Sequence, residues 1–362
     1  MKTPLAAIGL RGFPGVQGGV ESHCAAILPN LGIRCRVYRR KPYISQDGNQ
    51  PGNIEFTDLP STRIKGIEAA IHTALCVAHL LIHPVDMVNV HNIGPALLTP
   101  LLKLRGMKVV LTYHSANYLH SKWGRLAKAI LKTGERAGFR FADRIIFVSE
   151  TLRSNICSPE ALHKSTVIPN PVRKAEKTDS VEFCRKIGAE PFKYLLAVGR
   201  ISPEKGFDTL VTAAQTLPDG FKVVITGAPG NGVAYMDKLK KLDIGNKVIF
   251  TGFANHATLC ELYSHARMFV LPSHFEGMSV ALLEAMSFSL PVCASDIPAN
   301  RLPELENRAI YFVPGCSGSL SSAIGEALKL PPRIGYDLKA YSQEAIVAST
   351  AAIYASLLRN SR

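Results

Sequence analysis

The sequence is short of several things. Its 362 residues include one tryptophan, and its eight cysteines form no Cys-x-x-Cys pair. They stand at 24, 35, 76, 157, 184, 260, 293 and 316, with no Cys/His spacing typical of zinc. A disulfide framework and a structural zinc are therefore not expected, and the thiols read as reduced residues of a cytosolic protein. Long apolar runs are missing too. A membrane span needs ~20 mostly apolar residues, and the longest stretch, Ile67–His83, is interrupted by Glu68, His72 and His79. It reads as a buried helix. The run Leu5–Leu10 is too short for a secretory signal core and suits a strand.

Acidic residues are scarce, and unevenly so. Lys+Arg number 42 against 28 Asp+Glu, a formal charge of +14. Residues 1–175 hold 23 basic against 10 acidic residues, whereas 176–362 hold 19 against 18. The first half alone is expected to meet something anionic: phosphates, nucleic acid or a lipid surface.

What is present points to two domains. In the first half, strand-like runs at Leu5–Leu10, Arg34–Tyr38, Met87–Val90, Lys108–Tyr113 and Arg144–Val148 alternate with helical patterns, among them a helix around Lys122–Arg140. Two prolines in 167–172 and the polar run 173–180 make a linker. The pattern then restarts, with strands Tyr194–Val198, Phe221–Thr226, Lys247–Thr251, Met268–Leu271 and Pro291–Ala294. The expected fold is α/β: two doubly wound Rossmann-like domains, 1–172 and 173–341, facing a central cleft, with a last helix in 342–362. Ligands in such folds sit beyond the carboxyl ends of the strands.

Two segments stand at such positions. Gly199-Arg200-Ile201-Ser202-Pro203-Glu204-Lys205-Gly206 follows an apolar strand and precedes a helix. Its two cations and two glycines suit a diphosphate; a solvated loop with incidental basic residues is the alternative. The second segment, His274–Met286, places Glu276 in a loop and Glu284 in an apolar helix. Amides of Gly277, Met278, Ser279 and Val280 would open that helix as an anion site. A carboxylate among Leu283 and Met286 is costly without hydrogen-bond partners, and a ribose diol would supply two. Glu284 on a wet face is the alternative.

The pattern G-R-x-x-x-x-K-G, then E-x7-E, then Pro291-Val292-Cys293-Ala294-Ser295-Asp296 resembles the retaining GT-B glycosyltransferases of family 4. The resemblance extends along most of the chain, through Gly18-Gly19-Val20-Glu21-Ser22-His23, Thr112-Tyr113-His114-Ser115, Val148-Ser149 and Ile168-Pro169-Asn170. The family's usual glycine before the Pro-Val strand is replaced by Ser289 and Leu290, read as a local turn change. The resemblance implies a donor diphosphate bound by Arg200 and Lys205 beside Gly199, and ribose hydroxyls held by Glu284. It implies a donor sugar met by Glu276, the Gly277–Val280 amides and His114, and a nucleobase bordered by Phe253. Gly18 and Gly19 would let their loop approach phosphate and acceptor, and the last helix would cross back onto the first domain. No cofactor or metal is expected, because no Asp-x-Asp occurs and the two cations can offset the departing charge. The resemblance further implies retention by same-face attack, the leaving phosphate helping to deprotonate the acceptor.

The basic half remains to be placed. One group is Arg34, Arg36, Arg39, Arg40 and Lys41, expected just after the second strand. The other is Lys122, Arg125, Lys128, Lys132, Arg136 and Arg140, one stripe of a helix that opens beside Trp123 and Tyr118. Such a stripe suits an anionic membrane surface, with a solvated helix face as the alternative. No basic-aromatic RNA motif occurs, so nucleic acid is not the expected partner. Most histidines read as core or edge residues, and His23 ranks below His114 as an acceptor contact. The resulting expectation is a cytoplasmic hexosyltransferase, peripheral at the inner face of the membrane. It would take a nucleotide-diphosphate sugar and a saccharide acceptor carried on a polyprenyl diphosphate, in surface-polysaccharide or lipopolysaccharide assembly. A non-catalytic saccharide- or lipid-binding protein and a nucleotide-sugar epimerase are the alternatives.

Overall fold

A computed structural model describes residues 3–44, 51–62, 64, 67–119, 123–229 and 233–359. The chain divides into two units, Met1–Pro171 with Tyr341–Arg362, and Val172–Ala340.

The first unit alternates strands and helices: β1 (Leu5–Ile8), α1 (Gly19–Ile27), β2 (Cys35–Arg40), β3 (Ile54–Leu59), α2 (Ile67–Ile82), β4 (Met87–His91), α3 (Ile93–Ala96), α4 (Thr99–Leu104), β5 (Lys108–Tyr113), α5 (Arg125–Phe141), β6 (Arg144–Phe147), α6 (Glu150–Ser154), α7 (Pro159–His163) and β7 (Ser165–Val167). The strands form one parallel sheet in the order β3-β2-β1-β4-β5-β6-β7. Buried on both faces, the central strands β1, β4 and β5 read as nearly unbroken apolar runs. The last helix, α14 (Gln343–Arg359), belongs to this unit. Its Ile346, Tyr354 and Leu357 join the core made by Cys24, Ile27 and Leu28. The Asn89 amide donates to the Tyr354 hydroxyl at 2.5 Å, so the helix is pinned under β4.

The second unit comprises α8 (Glu182–Ile187), β8 (Tyr194–Val198), α9 (Phe207–Ala214), β9 (Lys222–Thr226), α10 (Val233–Leu242), β10 (Val248–Gly252), α11 (His256–His265), β11 (Met268–Leu271), α12 (Val280–Ser287), β12 (Val292–Ser295), β13 (Ala309–Phe312) and α13 (Ser317–Ala327). Its parallel sheet runs β10-β9-β8-β11-β12-β13. Both orders reverse at the first strand of the unit. Each sheet therefore has a switch point, between β1 and β4 and between β8 and β11, where loops diverge and leave room for a ligand.

Three strands, β3, β7 and β13, were not anticipated, and all three lie at sheet edges. β3 also relocates the first basic group. The arginines lie within β2 rather than after it, and the register sets Arg36 beside Glu55 and Arg39 beside Asp58. Both pairs close as ion pairs, at 3.0 and 2.7 Å.

Candidate active site

The second unit's switch point brings the two sequence segments together. β8 and β11 are neighbours, so the loops that leave them, 199–206 and 272–279, emerge side by side. The Lys205 ammonium meets Glu276 Oε1 at 2.6 Å. Ser273, fully buried, donates its hydroxyl to the same oxygen at 2.6 Å. The carboxylate is thus fixed by a cation and a hydroxyl, and Lys205 is held over the strand ends. The Arg200 guanidinium has no ion-pair partner among the described residues, so one cation is committed and one is available.

Glycine is required where the two loops touch. Gly206 has φ +63°, and a Cβ there would run into the carbonyl oxygen of Pro272. The His274 amide donates to the Glu204 carbonyl at 2.9 Å, binding the loops again at the next step. Gly199 differs: a Cβ there would find the Lys205 chain at 3.6 Å and the Phe207 ring at 3.8 Å, ordinary contacts.

Glu284 lies on α12 with Leu282, Leu283, Ala285 and Met286 buried around it. It accepts a bond from the Tyr263 hydroxyl at 3.1 Å. Burial raises its pKa above the usual carboxylate value, while Tyr263, Arg173 and His256 oppose the shift. Glu284 is partly buried, and the Tyr263 hydroxyl is its one hydrogen-bond donor among the described residues.

The helix opening departs from expectation. α12 begins at Val280, and Ser279 is its cap: the Ser279 Oγ accepts the Leu282 amide and its carbonyl accepts the Leu283 amide, both at 3.3 Å. Gly277 and Met278 precede the cap and have contacts of their own. Of the four amides expected to open the helix, that of Val280 lies in its first turn, and Ser279 acts as the cap. Phe253, just after β10, is half exposed.

At the first unit's switch point, β4 ends in His91 and β5 runs into His114. His91 Nδ1 lies 3.0 Å from His114 Nε2. His23, on α1, stands edge-on to the His114 ring at 4.8 Å between centroids, and its Nδ1 meets Asn170 Oδ1 at 3.0 Å. Cys24 Sγ approaches His91 Nε2 at 3.4 Å. All three imidazoles are buried. Burial lowers their pKa values, that of His23 to about 4, so they are neutral at pH 7. Their ring nitrogens lie within 4.8 Å of one another, the spacing at which three imidazoles could take a metal ion. Glu176, His256 and Cys260 form a second such group in the other unit. His91, Cys24, Ser273 and Tyr263 were not singled out from the sequence. His91 could have been, since it ends its strand as His114 follows the next one.

Gly18 serves the loop in an unexpected way. A Cβ there would collide with Glu21 Oε2, and the other oxygen of that carboxylate accepts the Arg11 amide at 2.9 Å. The glycine makes room for a buried carboxylate that ties down the loop; Gly19 faces open space.

Residues 17–176 match the sequence family described as Glycosyltransferase Family 4, and residues 182–341 match Glycosyl transferases group 1. The chain is built from two glycosyltransferase family domains. Among curated relatives, it is 27% identical over 256 residues to an alpha-D-kanosaminyltransferase of Streptomyces kanamyceticus, covering 66% of each chain. It is 30% identical over 193 residues to the O-antigen chain mannosyltransferase RfbU of Salmonella typhimurium, covering 52% of each. The matched stretches thus span half to two thirds of these relatives. Among solved structures, a sucrose-phosphate synthase from Thermosynechococcus elongatus superposes with a TM-score of 0.80 at 20% identity, over 99% of this chain and 100% of that one. Anabaena HepE in complex with UDP-glucose gives 0.70 at 17%, over 99% and 97%. These likenesses show the GT-B fold, two Rossmann-like domains. Lys205, Glu276 and Glu284 all lie in the group 1 domain, and the histidine cluster in the family 4 domain.

On the family 4 domain, the expected basic helix starts at Arg125, later than the sequence suggested, after Gly124 as its cap residue. Trp123 precedes the helix and is partly buried, so it is not an exposed anchor. Lys122 lies outside the described residues. Arg125, Lys132 and Arg136 are exposed and Lys128 is half-buried. Glu135, the one acid on this helix, accepts the Tyr113 hydroxyl at 2.5 Å and also feels Lys132 and Arg136.

Proposed function

We propose that the chain transfers a hexosyl group from a nucleotide-diphosphate sugar to a saccharide acceptor, with retention of anomeric configuration and without a metal. The observation that carries this reading is the meeting of Lys205 and Glu276, 71 residues apart, at the switch point of the group 1 domain. A cation there can be shared with an incoming diphosphate, and a carboxylate there can receive sugar hydroxyls. In the proposed reaction the bond from the anomeric carbon to the phosphate oxygen breaks. The acceptor oxygen bonds to that carbon from the same face, and its proton passes to the departing phosphate. Lys205 and Arg200 offset the developing charge, the task a metal would otherwise perform.

Glu284 is assigned the ribose hydroxyls, Phe253 the edge of the base, and Gly199 the close approach of its loop to the diphosphate. Val280 and Ala281, with Ser279 as cap and Gly277 and Met278 before it, border the donor sugar. His114, neutral and fixed by His91, is assigned to the donor sugar; Gly18 and Gly19 shape the acceptor loop. The O-antigen mannosyltransferase relative supports a surface-polysaccharide acceptor, and we assign a polyprenyl-diphosphate carrier at an anionic membrane surface. Arg125, Lys128, Lys132 and Arg136 would face its headgroups.

A thermal-shift panel of UDP, GDP, ADP and dTDP tests the donor site, since a ligand at 100 times its Kd stabilises by about 2.7 kcal/mol. One diphosphate is expected to raise Tm, and Lys205→Ala to remove most of the shift and most of kcat. No response to any diphosphate, or near-normal turnover in both Lys205→Ala and Arg200→Ala, would sink the assignment.

A further inference from the structure

The outer face of α2 is apolar throughout. Its exposed positions are Ile67, Ile71, Leu75 and Ile82, with only alanines between them. These four side chains are 49, 43, 37 and 73% exposed. The inner face buries His72, Thr73, Cys76, Val77 and Leu80. A surface helix normally turns charge outward; this one carries none on its outer face over 16 residues, about 24 Å of helix. The patch continues. α2 packs on α4, whose Leu101 and Leu104 are 41 and 85% exposed, and α4 packs on α5. There Arg125, Lys132, Arg136 and Arg140 are exposed and make no ion pair among the described residues. Beside them on α5, Leu126 and Ile130 are exposed as well.

We propose that α2, α4 and α5 form one bilayer-docking face, in which α2 lies in the interface with its isoleucines among the acyl chains and α5 lays its cations on anionic headgroups. An apolar helix face bordered by a basic one is the pattern of a helix lying in the membrane plane. A second copy of the chain fits less well. A two-fold contact through this face would set the α5 cations of one protomer near those of the other. The proposal deepens the reading of a lipid-linked acceptor, because it adds an apolar anchor to the electrostatic one. Among the described residues no helix is long and apolar enough to cross a membrane, so docking of this kind is from one side only.

The test is sedimentation with vesicles of phosphatidylcholine and phosphatidylglycerol at 7:3, in 0.1 M and 0.5 M salt, on the whole chain. Wild type is expected to bind at low salt and to retain part of its binding at high salt. Screening removes the headgroup attraction but leaves apolar insertion. Ile71→Glu with Leu75→Glu is expected to lose about tenfold in partitioning at both salts, since two half-exposed apolar side chains no longer insert. Unchanged circular dichroism shows that the variant folds. Three results overturn the proposal: no vesicle binding by wild type, binding by the variant equal to wild type, or a wild-type dimer in sedimentation velocity that the variant dissociates. The diphosphate panel on both proteins separates this from the transferase reading. A retained nucleotide response without vesicle binding sinks the docking face alone; intact vesicle binding without a nucleotide response sinks the donor site alone.

Discussion

Replacing Gly206 by alanine tests whether the contact between the two loops of the group 1 domain sets both its stability and its donor site. Two costs add. Gly206 sits at φ +63°, ψ 24°, a left-handed conformation that costs an L-residue ~1–2 kcal/mol. The new Cβ would also press on the carbonyl oxygen of Pro272, a backbone atom that cannot swing aside. Relief requires the loop 199–206 to move away from 272–279, the displacement that would part Lys205 from Glu276. The sum should be ~2–4 kcal/mol, large beside the ordinary range for a point substitution. A unit of this size loses ~2–4 °C in Tm per kcal/mol, so the fall should be near 10 °C. Gly199→Ala is the matched control. Its Cβ meets the flexible Lys205 chain at 3.6 Å and the Phe207 ring at 3.8 Å, both ordinary contacts, so its cost should stay under ~1 kcal/mol. Urea unfolding followed by fluorescence measures both, and the diphosphate thermal shift of Gly206→Ala should shrink relative to wild type. The reasoning is refuted if Gly206→Ala costs no more than Gly199→Ala, or if it unfolds earlier yet binds nucleotide as wild type does.

Other expectations rest on different residues. Ser289 occupies φ +63° without being glycine, so Ser289→Gly should stabilise the chain by about 0.5–1 kcal/mol in the same unfolding assay. Glu284 has a raised pKa, so the folded state binds its proton more tightly than the unfolded state does. Its penalty is therefore absent below the ordinary carboxylate range and complete above the raised value. Glu284→Gln should raise Tm at pH 8, and the gain should vanish near pH 4. The histidine cluster has the opposite sign. His23 falls from 6.5 to about 4, so the stability it contributes as a neutral ring is complete above pH 6.5 and drains away between there and pH 4. His23→Gln should flatten that limb of the Tm profile while leaving the profile above pH 7 unchanged in shape.

The interior strands were legible because burial on both faces forces continuous apolar runs, as in Leu5–Ile8 and Val109–Tyr113. Edge strands escape that demand. In β3 only Ile54 is buried, so Ile-Glu-Phe-Thr-Asp-Leu shows no run. β7 has three residues, none buried, and β13 buries only Phe312. The donor-side motif was legible for a related reason. Strand-to-loop transitions mark where ligands bind, and cations at such places are conspicuous in a string of letters. Its partners were not. Tyr263 comes from α11 and Ser273 from a residue with no charge; each matters only through a distance that the sheet order creates.

The charge asymmetry resolves along the same lines. A count of cations treats Arg36 and Lys132 alike, but the β2–β3 register does not. Arg36 and Arg39 face Glu55 and Asp58 at ion-pair distance, and Arg40 and Arg11 share Glu68 at 3.3 and 3.1 Å. These cations are paired, the first two across the sheet edge and the others with Glu68 of α2, and partly exposed pairs contribute little beyond fixing register. On α5 the single acid, Glu135, accepts the Tyr113 hydroxyl, and burial raises its pKa against the opposing pull of Tyr113, Tyr118, Lys132 and Arg136. Five cations of the first half, Arg125, Lys128, Lys132, Arg136 and Arg140, thus stand along one helix. That helix packs on α4, which packs in turn on α2, a long helix whose outer side is apolar. Apolar surface with no cover is unfavourable in water and clustered like charges repel one another, and a single anionic, apolar-cored surface would answer both. If the pairing on β2 were incidental, Glu55→Gln with Asp58→Asn would leave vesicle binding unchanged. If it confines the excess charge to α5, the freed arginines should raise binding to anionic vesicles at low salt and leave the binding at high salt, which α2 supplies, as it was.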